Sequence, residues 1–377
     1  MSDPLLRVED LHTRFDTDRG TVHAVDGVSL TVDRGEVVGV LGESGSGKSV
    51  TARSICRLED PGRIVDGAIA FDGTELTTAD QSTVRRIRGN DVSMVFQDPT
   101  ETLNPVFPVS DQIAEAVRIH ETKDRQGLLD FLGLPPFRDQ TAWESARERA
   151  VELMDRMDIP NPESRSSAFP HEFSGGLRQR AVLAVALASE PELLIADEPT
   201  TALDTTTQAD ILGRLRSLSD DRDIGVLLIS HDLGVIAQTC DRVVVMYGGR
   251  VMEAGPVERI LTAPEHPYTR ALLECSVRNS GQDERVRSLD GRPPDSVGGH
   301  EGCPFADQCR HATATCREGP IPMTERDAGR SRSGGSDRTP VHRDRHSRCH
   351  SSAVSRSVGT WPPRRSPRSM YARRSAR

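Results

Sequence analysis

A phosphate-binding loop is predicted by the glycines of Gly42-Glu-Ser-Gly-Ser-Gly-Lys-Ser49, whose spacing matches G-x-x-x-x-G-K-[ST]. Glycine lets successive backbone N–H groups turn towards phosphate oxygens, and the start of a following helix adds positive potential. In this pattern Lys48 reaches the β- and γ-phosphates of a nucleotide, and the Ser49 hydroxyl ligates Mg²⁺. The loop is therefore expected to bind ATP through Gly42, Glu43, Ser44, Gly45, Ser46, Gly47, Lys48, Ser49 and Val50.

Two adjacent carboxylates follow an apolar run in Leu193-Leu-Ile-Ala-Asp197-Glu198. Directly after a buried strand, Asp197 would hold Mg²⁺ through water, and Glu198 would polarise the attacking water as a general base. Phosphoryl transfer depends on positioning and charge neutralisation more than on covalent chemistry, so this small set of residues suffices for ATP hydrolysis. Taken alone, the pair could simply end a strand before a Pro-Thr turn, but the phosphate-binding loop upstream favours the catalytic interpretation.

A third segment, Ser174-Gly175-Gly176, opens the predicted helix Leu177–Ala188. Glycines at the start of a helix can again make an anion site. A serine N-cap followed by glycines is also a common helix start, so this segment is not diagnostic by itself. Its position about twenty residues before Asp197 is what links it to the carboxylates.

The elements that must position these residues follow from apolar runs. The run Val37–Leu41 contains β-branched residues and predicts a strand buried on both faces, with a helix beginning at Lys48. Residues 62–104 favour short strands and turns, and residues 110–158 are predicted to be largely helical. Strands alternating with helices predict a mostly parallel α/β sheet. The clearest further segments are the strands Leu193–Ala196, Gly225–Ile229 and Arg242–Met246 and the helices Gln112–Ile119, Ala146–Met157, Pro256–Leu261 and Tyr268–Glu274.

Taken in order, the three chemical segments resemble those of the ATPase subunits of ABC transporters. The resemblance implies that Ser174, Gly175 and Gly176 of one subunit close over the γ-phosphate of ATP held by another subunit. It also implies that Gln97 and His231 join Glu198 as catalytic residues, with His231 contacting the γ-phosphate. Taken alone, a histidine at a strand end is more often structural, and Gln97 alone would indicate nothing.

The resemblance assigns further residues by their positions. Ser49, Gln97 and Asp197 would contact Mg²⁺. Asp204 falls in the loop through which such subunits meet, and Phe15 falls where the family places an aromatic ring against adenine, although it could also be a core residue. The implied fold is an α/β P-loop NTPase, an ABC nucleotide-binding domain in which a RecA-like core carries an antiparallel β subdomain and an α-helical subdomain.

Three stretches narrow the resemblance to the ATP-binding subunits of peptide/nickel importers, which handle oligopeptides and dipeptides: residues 98–112, residues 266–273 and the cysteines after residue 302. It implies ATP-driven import of peptides with two transmembrane permease subunits, a second ATPase subunit and an extracellular solute-binding protein. Nickel or another small solute is an alternative cargo. A DNA-repair or translation ATPase is a further alternative, but such proteins carry long heptad helices or two cassettes, and this chain has neither.

The expected domain organisation has three parts. Residues 1–265 form the ATP-binding domain, with a helical insertion at about 105–175. Residues 266–323 form a C-terminal extension that contains a cysteine cluster, and residues 324–377 form a disordered tail rich in Arg, Ser and Pro.

The cysteine cluster comprises Cys303, Cys309 and Cys316. Such spacing in a loop-rich cytosolic segment favours metal binding over disulfides, and four thiolates would suit [4Fe–4S] or Zn²⁺. The family resemblance favours [4Fe–4S], with Cys349 as the fourth ligand and His311 as a substitute. Unpaired cysteines without a metal are the open alternative.

Charge and hydropathy set the remaining expectations. Residues 324–377 contain 14 Arg and four acidic residues, so residues 1–323 carry a balance of −19. This acidic, Lys-poor body is typical of a high-salt cytoplasm, although a GC-rich genome also depletes Lys. The tail has almost no aromatic residues for stacking on bases, so a disordered or frameshifted segment is favoured over nucleic-acid binding.

No apolar run approaches the roughly 20 residues that span a bilayer, and the N-terminus lacks the pattern of a secretory signal. The expected location is therefore the cytoplasmic face of the cell membrane, as a peripheral subunit whose partners span the bilayer.

Overall fold

The computed structural model describes residues 3–97, 102–121, 140–201, 203–278 and 296–319, and the strands in these ranges form two sheets. The strands are β1 (Leu6–Thr17), β2 (Gly20–Val32), β3 (Val37–Leu41), β4 (Arg63–Phe71), β5 (Thr74–Glu75), β6 (Val92–Val95), β7 (Leu193–Asp197), β8 (Gly225–Ser230), β9 (Arg242–Tyr247) and β10 (Arg250–Pro256). The α-helices are α1 (Lys48–Ile55), α2 (Gln81–Ile87), α3 (Val109–Glu121), α4 (Gln140–Arg156), α5 (Pro162–Arg165), α6 (Gly175–Ala186), α7 (Thr205–Arg222), α8 (Leu233–Thr239), α9 (Val257–Thr262) and α10 (Pro267–Arg278).

The larger sheet has the strand order β10-β9-β3-β8-β7-β6. Neighbouring strands from β9 to β6 run parallel, and β10 pairs with β9 in the antiparallel direction. Every residue of β3, β7 and β8 is buried, because helices or the second sheet cover both faces. The four strands predicted from apolar runs are therefore confirmed, each within one residue of its expected bounds.

The smaller sheet is antiparallel, with the order β2-β1-β4-β5, and shares a core with one face of the larger sheet. Leu6, Val8 and Leu11 of β1 lie in this core with Val38 and Val40 of β3. Because side chains alternate along a strand, β3 can also contribute to the core on the opposite face of the sheet. The predicted combination of an α/β core with an antiparallel β subdomain is confirmed.

Helices α3 and α4 pack on each other and on α6, and the three share one core. Ile113 of α3, Met154 of α4 and Leu183 of α6 are each almost completely buried there. This confirms the helical segments expected within residues 110–158.

Some element predictions were wrong in detail. Helix α2 lies in a segment expected to hold only strands and turns, and it begins because the Asp80 side chain accepts a hydrogen bond from Thr83 N at 2.8 Å. Helix α6 begins at Gly175 rather than Leu177, since Ser174 is its N-cap and both glycines are helical. Helix α10 is longer than the predicted helix at 268–274.

Residues 296–319, here called the C-terminal lobe, pack against both sheets. Val297 forms an isolated antiparallel bridge with Val22 of β2, and His23 N donates to Ser296 O at 2.9 Å. Arg250 of β10 donates to Gly302 O at 2.9 Å, which ties the lobe to the larger sheet. The tail predicted for 324–377 lies outside the described residues. In the parts of the chain that the structure describes, no helix combines the length and apolarity needed to cross a membrane.

Candidate functional site

The phosphate-binding loop connects β3 to α1 and is packed closely on its outer side. A Cβ atom at Gly42 would lie 2.3 Å from Met246 O, and one at Gly47 would lie 2.4 Å from Ala24 O. Gly47 is the N-cap of α1 with φ of 96°, and Gly45 has φ of 79° with nothing within 4 Å of its would-be Cβ. The loop therefore has a tightly supported base and an open apex, as a phosphate cradle requires.

Lys48 turns back over this loop. Its Nζ donates to Gly42 O and to Glu43 O, both at 2.8 Å, and the side chain is 5% exposed. Burial lowers the pKa of Lys48, while the nearby carboxylates of Glu198, Asp197 and Glu43 act in the opposite direction. The ammonium group thus lies within the loop, where phosphate oxygens could replace the backbone carbonyls as its partners.

Ser49 and Asp197 face each other across the first turn of α1. The Ser49 hydroxyl donates to Asp197 Oδ1 at 3.0 Å, and Asp197 is 2% exposed. Burial raises the pKa of Asp197, although the Ser49 hydrogen bond opposes the shift. A hydroxyl and a carboxylate are hard oxygen ligands of the kind Mg²⁺ prefers, so this pair fits the ion that the sequence implies.

Glu198 is the most extensively supported carboxylate of the site. Its Oε2 accepts hydrogen bonds from Gln97 Nε2 at 3.0 Å and from Thr201 Oγ1 at 3.1 Å. His231 Nδ1 lies 3.1 Å from the other carboxylate oxygen, Oε1. The Glu198 backbone has φ of 47° and its N–H donates to Ile229 O at 3.0 Å. These contacts fix the carboxylate in one orientation beside Asp197.

The parallel sheet explains why these residues meet. The phosphate-binding loop follows β3, Asp197 ends β7, His231 follows β8, and Gln97 lies two residues after β6. All four strands are parallel, so their carboxyl ends lie at one edge of the sheet. This edge is where open α/β sheets bind their ligands.

The segment Ser174–Gly176 and Asp204 begin two neighbouring helices. Ser174 caps α6, accepting from Leu177 N at 3.4 Å, and Asp204 caps α7 through Thr206 N and Thr207 N. A Cβ atom at Gly176 would lie 2.3 Å from Thr207 Cγ2, so the two helix starts are in direct contact. Both capping side chains are exposed, and their predicted roles towards nucleotide and a second subunit stay predictions.

Phe15 lies on β1, paired with Val22 of β2. Its half-buried ring packs on the backbone of Gly62, where a Cβ atom would lie 2.7 Å from the ring. The exposed part of the ring leaves stacking on adenine a prediction. Glu43, Ser44 and Val50, the other predicted nucleotide contacts, lie on the loop or on α1 and are half-buried or exposed.

The cysteine cluster does not form a metal site within the described ranges, where no three His, Cys, Asp or Glu side chains are placed to hold an ion. Cys303 Sγ lies 3.9 Å from His266 Nε2, and Cys316 Sγ lies 3.3 Å from Thr313 Oγ1. Burial raises the pKa of Cys303 to about 11. This part of the structure therefore does not fit the predicted [4Fe–4S] cluster, and Cys349 lies outside the described residues.

Two contacts of the site were not anticipated from the sequence. Thr201 had no predicted role towards Glu198, yet its hydroxyl donates to Glu198 Oε2 at 3.1 Å. The hydroxyl of Tyr268 accepts a hydrogen bond from Glu43 N at 3.3 Å, although 225 residues separate the two. Residues 266–273 contribute to the family resemblance, but nothing in their sequence predicts that the Tyr268 hydroxyl accepts a hydrogen bond from Glu43 N.

Known proteins resemble this chain over most of its length. The oligopeptide transport ATP-binding protein OppD of Haemophilus influenzae is 39% identical over 84% of this chain and 93% of its own length. The dipeptide transport ATP-binding protein DppD of Bacillus subtilis is 42% identical over 83% of this chain and 88% of its own length.

Two family profiles match consecutive parts of the chain. The ABC transporter family matches residues 25–201, and the oligopeptide/dipeptide transporter C-terminal region matches residues 252–316. Among solved structures, the dimeric structure of MJ0796, a bacterial ABC transporter cassette, superimposes with a TM-score of 0.56 at 25% identity, over 67% of this chain and 98% of that one. The chain therefore belongs to the ATP-hydrolysing, ATP-binding proteins of ABC transporters, within the group named for oligopeptide and dipeptide transport.

Proposed function

We propose that this chain hydrolyses ATP at the edge of its larger sheet and thereby drives the uptake of peptides through separate membrane permease subunits. The observation that carries the proposal is Glu198, held by three neighbours beside the Ser49–Asp197 pair and the phosphate-binding loop. The oligopeptide and dipeptide relatives support peptides as the cargo.

Each side chain has a distinct task in this proposal. Lys48 and the loop N–H groups would bind the β- and γ-phosphates, and Ser49 with Asp197 would hold Mg²⁺, whose charge would offset that of the phosphates. Glu198 orients the attacking water and accepts its proton. Gln97 and Thr201 keep the Glu198 carboxylate aimed at that water, because both donate to the same oxygen.

The site is completed by a second ATPase subunit, identical or homologous. Ser174 and Asp204 are exposed at the starts of two contacting helices, so both can reach a facing molecule. The N-terminus of α6 would bring backbone N–H groups to the γ-phosphate of the partner's ATP. Phe15 would stack on the adenine of the ATP bound by its own chain.

The permease subunits would contact the region between β6 and α3. Phe96 is 38% exposed, Val106 69%, Phe107 53% and Ile119 49%, which are large exposures for apolar side chains. Beside them a groove of about 520 Å³ runs past Ser110, Asp111 and Arg147. A short helix from a membrane subunit could fill such a groove. The chain would then lie at the cytoplasmic face of the membrane, with a solute-binding protein delivering peptide from outside.

We also propose that residues 1–265 and 266–323 act as an ATP-binding domain, with its helical insertion at about 105–175, and a C-terminal extension. The separate family matches to residues 25–201 and 252–316 support two parts, and the second match begins within β10, ahead of residue 266. Iron analysis and visible absorption of anaerobically purified protein test the [4Fe–4S] prediction, for which the described cysteines give no support.

Purification of the tagged full chain from detergent-solubilised membranes tests the proposed function. We expect two permease subunits and a second ATPase subunit to co-purify, and ATP hydrolysis to rise when the solute-binding protein is added with peptide. A chain that purifies alone, with activity indifferent to peptide-loaded binding protein, would contradict the proposal. If ATP hydrolysis rises with binding protein loaded with Ni²⁺ but not with peptide, peptides are not the cargo.

A further inference from the structure

Three aromatic rings fill the space between the C-terminal lobe and the phosphate-binding loop. Tyr247 ends β9, Tyr268 begins α10 and Phe305 belongs to the lobe, and they are 2%, 0% and 4% exposed. The ring centroids of Tyr247 and Tyr268 are 4.5 Å apart, and Phe305 meets both rings edge-on at 5.6 and 5.3 Å. These separations are those of a well-packed aromatic cluster, so the lobe and the loop share one rigid support.

The two tyrosine hydroxyl groups make different contacts. The hydroxyl oxygen of Tyr268 accepts a hydrogen bond from Glu43 N at 3.3 Å, within the phosphate-binding loop. The hydroxyl oxygen of Tyr247 accepts one from Gln308 Nε2 at 2.9 Å, within the C-terminal lobe. The same cluster therefore offers one hydroxyl hydrogen-bonded to the backbone of the loop and a second hydrogen-bonded to a side chain of the lobe.

The backbone of Glu43 is held on both sides of its Cα atom, through the two successive peptide groups that meet there. The Tyr268 hydroxyl accepts a hydrogen bond from the Glu43 N–H. The Glu43 carbonyl oxygen accepts from Lys48 Nζ at 2.8 Å and from Ser46 N at 3.2 Å. Position 43 is the first residue after Gly42, where the chain leaves β3 and starts to turn. A hydrogen bond at this point constrains the path of the loop that follows, including the amide groups expected to face phosphate.

Tyr268 itself is firmly supported. Its backbone N–H donates to His266 Nδ1 at 3.1 Å. The backbone N–H groups of Glu265 and His266 donate to the two carboxylate oxygens of Glu253, at 2.8 and 3.0 Å, and Glu253 is 2% exposed on β10. Tyr268 therefore follows a turn that is hydrogen-bonded to Glu253 of the larger sheet. This support restricts the movement of the hydroxyl that contacts Glu43 N.

We propose that Tyr268 is a positioning residue for the nucleotide site, whose hydroxyl fixes the peptide group between Gly42 and Glu43 and so presets the phosphate-binding loop to receive ATP. The inference rests on the proposed assignment of residues 42–49 as the phosphate-binding loop. A loop already held in its binding shape loses less conformational freedom when phosphate binds, and this raises affinity.

The test compares Tyr268→Phe with Tyr247→Phe in the full-length chain. Each variant keeps its ring and loses one hydroxyl, but Tyr268→Phe loses a hydrogen bond to the loop backbone, whereas Tyr247→Phe loses one to Gln308 of the lobe. Calorimetric titration with Mg²⁺–ATP should show affinity weakened about 3- to 10-fold for Tyr268→Phe, the range expected for one hydrogen bond, and changed less than about twofold for Tyr247→Phe. Thermal unfolding of both variants shows whether they remain folded.

Amide hydrogen exchange of the nucleotide-free chain gives a second measurement that a general loss of stability would not reproduce. Exchange in the segment 42–48 should be faster in Tyr268→Phe and unchanged in Tyr247→Phe. The inference is overturned if Tyr268→Phe binds ATP like the unmodified chain with unchanged exchange in this segment, or if both variants weaken binding equally. Lys48→Ala distinguishes failure of the role given to Tyr268 from failure of the loop assignment. If Lys48→Ala also leaves ATP affinity unchanged, residues 42–49 are not the phosphate-binding loop.

Discussion

At the scale of residues, the site is organised around the orientation of one carboxylate. Glu198 has Gln97 and Thr201 on one oxygen and His231 on the other. Each partner comes from a different segment: Gln97 follows β6, Thr201 precedes α7, and His231 follows β8. A general base that is already oriented needs no rearrangement when water and nucleotide arrive, and this is the contribution that positioning residues make to phosphoryl transfer.

Thr201→Val removes one of these contacts while preserving the shape of the side chain. The Thr201 hydroxyl donates to Glu198 Oε2 at 3.1 Å, so its loss should let the carboxylate swing. We expect kcat for ATP hydrolysis to fall about 3- to 10-fold with little change in ATP affinity, since one of the two side-chain hydrogen bonds to Glu198 Oε2 is lost. Thr201→Ser keeps the hydroxyl and is the control. Equal kcat values for the valine variant and the unmodified chain would remove Thr201 from the site.

At the scale of elements, the starts of α6 and α7 depend on each other. Gly176 approaches Thr207 so closely that a Cβ atom would lie 2.3 Å from Thr207 Cγ2, whereas one at Gly175 would lie 3.7 Å from Leu203. The Thr207 hydroxyl donates to Asp204 Oδ2 at 2.7 Å, and this hydrogen bond holds the Thr207 side chain in its orientation towards Gly176. The segment expected to face a second subunit is therefore packed on its inner side and exposed on its outer side.

The two glycines make a matched pair of substitutions. Gly176→Ala should destabilise the chain by about 1–3 kcal/mol, because the added methyl group overpacks the contact with Thr207. Gly175→Ala meets only ordinary contacts and should be neutral or stabilising by up to about 1 kcal/mol, since alanine favours helix. Urea unfolding of both variants measures the difference. Equal stability of the two would contradict the close approach of α6 to α7.

The sequence predicts an element well when the pattern that defines it lies within a few consecutive residues, and poorly when it depends on contacts between distant residues. The buried strands β3, β7, β8 and β9 are short apolar runs, so their positions could be predicted within a residue. Helix α2 was missed, because only Val84 and Ile87 are buried along its seven residues and its apolar pattern is too short to detect. The hydrogen bond of Tyr268 with Glu43 N joins residues 225 apart and depends on the packed fold.

At the scale of the whole molecule, Arg250 links three parts of the chain. Its guanidinium donates to Asp26 Oδ2 at 2.7 Å, to Gly302 O at 2.9 Å and to His300 O. Burial raises the pKa of Asp26, but the hydrogen bond and charge of Arg250 outweigh it and leave that pKa below its ordinary value. The smaller sheet, the larger sheet and the C-terminal lobe are therefore joined at one side chain.

Arg250→Met should loosen the C-terminal lobe without unfolding the rest. The variant removes two hydrogen bonds to lobe carbonyls and leaves Asp26, whose side chain is 11% exposed, without its cation. We expect lobe opening to become easier by about 2 kcal/mol, seen as faster amide exchange in residues 296–319. Arg259→Met is the control, because Arg259 pairs with Glu265 outside the lobe. Similar lobe exchange in both variants would show that Arg250 does not hold the lobe.

Hydrolysis supported by Glu198 is expected to drive peptide uptake. Vesicles that hold the chain with its permease subunits and solute-binding protein allow ATP hydrolysis and labelled peptide uptake to be measured together. Glu198→Gln should lower both by at least about 100-fold, the usual contribution of a general base, while ATP still binds, and the surface variant Glu258→Gln should change neither. Peptide uptake at the unmodified rate with Glu198→Gln would contradict the account.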